Sequence, residues 1–166
     1  GPNPFQNYYG GTKQQMIYKA EELTALGLVP NTIIKSIAVN MVNPSGGAAL
    51  NAVVVKMKNS TKSAFASTTD WEVDMATVKN AATLNPVTGQ NTLLLDAPFT
   101  WNGDNLVVEI NYTNNNSGGS GASTAKYSTT NFASTLYLRV DGATAAAVNA
   151  FDGSTTIGTS RIFTVL

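Results

Sequence analysis

The residues able to do chemistry in this chain are few. Ser123-Thr124-Ala125-Lys126 matches the S-x-x-K pattern of serine acyltransferases. That chemistry needs the serine at a helix start, the lysine one turn on, and companion S-D-N and K-T-G segments. Here the match follows a Gly/Ser loop and the companions are missing, so coincidence is the simpler reading. Paired carboxylates could perform glycoside hydrolysis. The acids are Glu21, Glu22, Asp70, Glu72, Asp74, Asp96, Asp104, Glu109, Asp141 and Asp152. Asp70, Glu72 and Asp74 alternate, which would place them on one face of an extended chain. An acid–base pair also needs a cleft that raises one pKa, and the sequence shows none. Solvated charges are the simpler reading. Glu109 differs, because it sits in the most apolar segment. If buried, it needs a cross-strand partner such as Arg139 or Lys56.

Calcium asks only for oxygen ligands. Asn102, Gly103 and Asp104 form one candidate loop, and Asp141 and Asp152 are others, though the EF-hand spacing is absent. The competing reading is of turn residues whose side chains bond their own backbone. Aromatic residues offer another chemistry, since sugars stack their apolar C–H faces on exposed rings. Trp71 lies among polar residues and is the platform candidate. Trp101 follows Pro98-Phe99 ahead of an apolar run and reads as core. Tyr8, Tyr9, Tyr127 and Tyr137 could edge a binding face, with Arg139 on the same polar strand side as Tyr137. Isolated surface aromatics are ordinary, which is the plain alternative.

Composition removes whole classes. The chain has no histidine, so Ser-His-Asp and Cys-His nucleophiles are unavailable. With no cysteine either, ordinary zinc, copper, haem and iron–sulfur sites are disfavoured, and no disulfide can form. The formal net charge is zero and charged residues make up only 12%, so nucleic acid is not the expected partner. No apolar run reaches the roughly 18 residues of a membrane span, and membrane insertion is not expected. At 166 residues and 43% hydrophobic, the chain suits one domain with a sizeable core, here residues 3–166. Gly1-Pro2 has the form of a tag remnant and is set aside. The chain is expected to be a segment of something longer.

Short alternating segments must position these residues. Gln14 to Tyr18 reads as a strand. Lys19 to Leu26 is the one helix candidate, closed by Gly27. Ile33 to Val42 is a strand with Ile33, Lys35, Ile37, Val39 and Met41 on one face. Ala52 to Lys58 alternates again. Ser60 to Asp70 reads as loop with Phe65 as an inward plug. Asp70 to Leu84 fits both a helical stripe and a strand, and a turn followed by a strand is favoured. Asn91 to Leu95 is a strand ended by Pro98, and Asn102-Gly103 is the strongest turn. Leu106, Val108, Ile110 and Tyr112 form one strand face, with Val107, Glu109 and Asn111 opposite. Asn114 to Gly121 is low-complexity and expected to be mobile. Leu136 to Val140 and Arg161 to Leu166 complete the set. Eight to ten short strands between Gly, Asn and Pro turns predict an all-β antiparallel sandwich or barrel and not an α/β fold. Its expected core includes Ile37, Val39, Val53, Val55, Leu93, Leu95, Phe99, Leu106, Val108, Ile110, Leu136, Leu138 and Phe163.

Several segments resemble a module of long secreted and surface proteins of Bacteroidota, many of them exported by type IX secretion. They are Tyr8-Tyr9-Gly10-Gly11, Gln15-Met16-Ile17-Tyr18, Ala20-Glu21-Glu22-Leu23 with Gly27, Ile33 and Ile37-Ala38. The most specific is Pro98-Phe99-Thr100-Trp101-Asn102-Gly103 running into Asn105-Leu106-Val107-Val108-Glu109, with Thr135-Leu136-Tyr137 after it. The resemblance implies a jelly-roll-like sandwich in adhesin-like proteins and no catalytic residues. The sorting domain and neighbouring modules of such proteins are absent from the sequence. The expectation is therefore a non-catalytic adhesive or structural module at the bacterial surface. Its partners would be a surface glycan or protein ligand and neighbouring modules of the same chain. The alternatives are a carbohydrate-binding module using exposed aromatics and, further off, a glycoside hydrolase.

Overall fold

In the computed structural model, residues 3–44, 49–115, 123–162 and 164–165 are described. Phe163, the centre of the 114–121 segment and most of the turn after Pro44 lie outside them. The alternating segments become β1 (Gly11–Tyr18), β2 (Ile33–Asn43), β3 (Leu50–Ser60), β4 (Ala76–Leu84), β5 (Gly89–Thr100) and β6 (Asn105–Thr113). Shorter strands follow: β7 (Thr124–Ala125), β8 (Tyr127–Thr129), β9 (Thr135–Val140), β10 (Thr156–Gly158), β11 (Ser160–Ile162) and β12 (Thr164–Val165). Every pairing among them is antiparallel. One sheet runs β10-β9-β1-β6-β3-β4, and β2 carries β5 on one edge and β12 with β7 on the other. Chain order passes repeatedly between the two, as in a sandwich. Met16, Val55, Met57, Val108 and Ile110 of the large sheet pack against Ile37, Val39, Met41 and Leu93 of the small one.

Two strands depart from expectation, one in phase and one in length. Alternation puts Ile33 on the core face, but it is exposed and Ile34 is buried instead. A register shift lies between Ile34 and Ser36, where β5 runs from Phe99 to Leu94 and so carries three extra residues, and β2 changes phase there, Ile34 and Ile37 both being buried. Pro98 does not end β5, which runs on to Thr100. Among the described residues β5 pairs only with β2, so the missing proline N–H costs no ladder bond on its outer edge. That edge faces β4, where Lys79 Nζ lies 2.7 Å from Asp96 Oδ1 and the Asn80 amide donates to Asp96 Oδ2 at 3.0 Å.

The larger surprise is that β1 and β6 are buried on both sides. Their outer face carries a second apolar cluster of Ile17, Phe65, Trp71, Val107 and Leu136. Phe65 plugs inward as expected, on a loop that crosses this face. A second helix, α2 (Ala145–Ala150), covers the rest, beyond the expected α1 (Ala20–Ala25). Thr144 starts α2 by accepting the Ala147 amide. Lys13 closes it: its ammonium donates to the Asn149 and Phe151 carbonyls at 3.0 and 2.7 Å. A cation on those unpaired carbonyls is favourable at a helix C-terminus, so β1 staples α2 to the sheet.

Candidate functional site

The segment 3–10 is irregular, and polar bonds hold it in place. Asn3 Nδ2 donates to the Ser123 carbonyl at 3.2 Å, and Ser123 Oγ donates to the Phe5 carbonyl at 2.8 Å. Phe5 itself is buried in the main core. The Tyr112 hydroxyl donates to the Gln6 carbonyl and sits 3.1 Å from the Tyr9 carbonyl. Burial pushes that phenol far above its usual range, with Asp141 adding to the effect, so it stays a neutral donor. The Gly10 amide donates to Asp141 Oδ1 at 2.7 Å. This framework presents Tyr8 and Tyr9 with their rings 5.2 Å apart and edge to face. Tyr8 remains 52% exposed.

Strand pairing brings two distant residues to the same place. In β9, Tyr137 lies opposite Gln14 and Arg139 opposite Thr12. Directly opposed residues share a side of the sheet, so Tyr137 and Arg139 lie over Gln14 and Thr12. Leu136 takes the other side and joins the outer cluster. The Arg139 guanidinium stands 5.0 Å from the Tyr137 ring and 5.8 Å from the Tyr9 ring, within cation–π range. Four of the six aromatic and arginine candidates therefore converge: Tyr8, Tyr9, Tyr137 and Arg139. Beneath them is a cavity of about 10 Å³ lined by Asn3, Thr12, Gln14, Tyr137, Leu138 and Arg139. Thr12 Oγ1 and Gln14 Nε2 are buried there without a partner among the described residues.

The other two candidates lie elsewhere. Tyr127 is exposed beside an open groove with Asn40, Val42, Ala125 and Lys126. Trp71 is not a platform. It is only 7% exposed, its Nε1–H donates to the Gly153 carbonyl at 2.8 Å, and it meets the Phe151 ring edge to face at 6.0 Å. Its polar sequence neighbours point to a surface position, but Asp70 and Glu72 are themselves paired with Lys62, Lys58 and Ser60, and the indole packs in the outer cluster. Trp101 is core, as its apolar context indicated, with Nε1–H donating to the Asp104 carbonyl.

Beside Trp71 an open cleft of about 320 Å³ has Lys13, Lys56 and Glu109 in its floor and Glu72, Asp74 and Asp152 around it. Glu109 is buried. Its Oε1 accepts Asn111 Nδ2 at 2.9 Å and lies 3.2 Å from Lys56 Nζ. Its Oε2 accepts Gln15 Nε2 at 2.7 Å and lies 3.7 Å from Lys13 Nζ. Lys56 is thus the cross-strand partner, opposite Glu109 in register, and Arg139 is not. Burial lowers the Lys13 pKa against the pull of Glu109 in the other direction. Sequence reading missed Lys13, Gln15 and Asn111. The only signal was their alternation opposite apolar neighbours, which solvated strand faces show equally.

The remaining candidates are engaged structurally. Asp70, Glu72 and Asp74 do not share a strand face, because the chain there is irregular. Asp70 pairs with Lys62, and Glu72 with Lys58 and Ser60. Ser123 and Lys126 flank a two-residue strand and not a helix, so the S-x-x-K geometry does not form. Asn102 and Asp104 bond one another inside their turn: Asn102 Nδ2 donates to Asp104 Oδ2, and the Asp104 amide donates to Asn102 Oδ1. Each of those oxygens thus accepts a hydrogen bond within the turn, as in the reading of turn residues that bond locally. Among the described residues no three histidine, cysteine or acidic side chains group to hold a metal. No described helix is long and apolar enough to cross a membrane.

No protein-family model, curated protein or solved structure matches the chain.

Carboxylates that support the fold set its acid limit. Burial alone would raise the Glu22 and Glu72 carboxyls. Arg161 and the Lys19 amide outweigh it at Glu22, as Ser60 and Lys58 do at Glu72, so both lie below 4.5. Depressed carboxyls stabilise the fold above their unfolded pKa, and that contribution is lost as pH falls through the folded value. The melting temperature is therefore expected to decline from about pH 4.5 downward. Scanning calorimetry between pH 7 and pH 3 checks this, and Glu72→Gln should flatten the decline. A melting temperature that rises on acidification would contradict the assignment.

Proposed function

We propose that this chain is a non-catalytic adhesive module of an extracellular bacterial surface protein, and that it binds glycans. The observation that carries this reading is the convergence of Tyr8, Tyr9, Tyr137 and Arg139 on one surface held by buried hydrogen bonds. Tyrosine rings give a flat apolar face for a pyranose, and the guanidinium gives donors for its oxygens. The lack of histidine and the saturation of Glu109 by lysine, glutamine and asparagine donors favour binding over turnover, since a proton-transfer carboxyl needs access to substrate. The resemblance to surface modules of Bacteroidota, with type IX export and neighbouring modules in the same chain, fits this role. Avidity across several such modules would offset weak single contacts.

A glycan array with the whole chain, followed by retention on the polysaccharide it selects, tests the reading. Tyr8→Ala is expected to weaken retention about tenfold, the equivalent of roughly 1.4 kcal/mol for one aromatic contact, with an unchanged melting temperature. An array without binding, or retention indifferent to Tyr8, would discard this surface. Tyr127 and its groove provide the matched control, because Tyr127→Ala removes an equally exposed ring elsewhere.

A further inference from the structure

We propose that Arg139 makes this surface selective for sugars that carry an oxyanion, either a uronate carboxylate or a sulfate ester. This rests on the glycan-binding reading and adds the ligand's charge. The chain has two arginines. Arg161 is committed to the Glu22 carboxylate and the Ile17 carbonyl. Arg139 is exposed and has no ion pair or hydrogen bond among the described residues, only its two tyrosine rings. A guanidinium carries five N–H donors in a planar fork that matches two oxygens of one acid group, and its weak hydration makes it cheap to desolvate. The flanking rings limit where that fork can point.

A second observation comes from below the surface. Thr12 and Gln14 are 3% and 1% exposed and line the cavity that Arg139 borders, yet Thr12 Oγ1 and Gln14 Nε2 have no partner among the described residues. Unpaired buried polar groups are costly, and the cavity has room for one water-sized group. A polar group arriving with the ligand satisfies both. The half-exposed Tyr8 ring, edge to face with the Tyr9 ring that flanks the fork, favours a sugar over an acidic peptide, which would need only the cation. Because the formal net charge is zero, general attraction to polyanions is small and the local fork must do the selecting.

Calorimetric titration of the chain with polygalacturonate, dextran sulfate, uncharged dextran and poly-glutamate tests the inference. At least one charged polysaccharide is expected to bind tenfold or more tightly than dextran and poly-glutamate, and which one does separates carboxylate from sulfate recognition. Arg139→Gln should abolish that preference, and Arg139→Lys should restore only part of it, since an ammonium cannot chelate two oxygens. Equal affinity for dextran, unaffected by Arg139→Gln, overturns the charge selectivity and leaves glycan binding standing. Poly-glutamate binding as tight as the polysaccharides overturns the sugar specificity. Binding to none of the four overturns the inference, while the array decides the broader reading separately.

Discussion

Val108→Asp is expected to leave the chain without a cooperative unfolding transition. Val108 is fully buried in β6 between Met16 of β1 and Met57 of β3, on the side facing the smaller sheet. The described core around it is apolar, so the new carboxylate would meet no cation. An unpaired buried charge costs several kcal/mol even after relaxation, against a total stability of about 5–15 kcal/mol for a domain. Val108→Ala, which only opens a cavity, should cost about 2 kcal/mol. Near-UV circular dichroism with urea denaturation distinguishes the two. A Val108→Asp variant with a native spectrum would mean that the strand faces are inverted.

Glu109→Ala, one residue along, should cost about 3–5 kcal/mol by a different route. It removes the carboxylate shared by Lys13 and Lys56 and leaves two ammoniums close together under α2 and the Trp71 loop. Lys13 is the more exposed to this change electrostatically, because burial already disfavours its charged form. The combined replacement of Glu109, Lys13 and Lys56 by Leu, Met and Met should recover only part of the loss, since apolar groups need no counter-charge but the Asn149 and Phe151 carbonyls lose the Lys13 ammonium. Urea midpoints of the single and triple variants check both statements. A loss under 1 kcal/mol for Glu109→Ala would show that water reaches the cluster and neutralises its cost.

These two neighbouring residues also mark the boundary of what sequence could reveal. Alternation placed Val108 correctly because a strand buries apolar groups every second residue. The same alternation assigned Glu109 and Asn111 to an opposite face without showing that face to be covered. Nothing local distinguishes a solvated Lys13-Gln14-Gln15 from one buried beneath a helix. The difference lies in register, which puts Gln15 opposite Glu109 and Lys13 opposite Asn111. The α2 segment was missed for a related reason. Its alanines follow Asp141-Gly142 and precede Asp152-Gly153, and those turn signals masked six helical residues. In the binding surface, residue type identified Tyr8, Tyr9, Tyr137 and Arg139, but their meeting depends on β9 pairing with β1. Trp71 failed the same test in reverse, since polar neighbours describe a loop's outside and say nothing of where its indole points.

The contact between Asp96 and the Asn80 amide bears on how crowded copies behave. β4 is the last strand of its sheet, and open strand borders recruit strands from other molecules. Without a net charge, the protein has no long-range repulsion to keep copies apart. A carboxylate clipped to that border by an amide and by Lys79 means an incoming chain must first evict an anion. Solubility at high protein concentration would then rest on a plugged seam and not on colloidal charge.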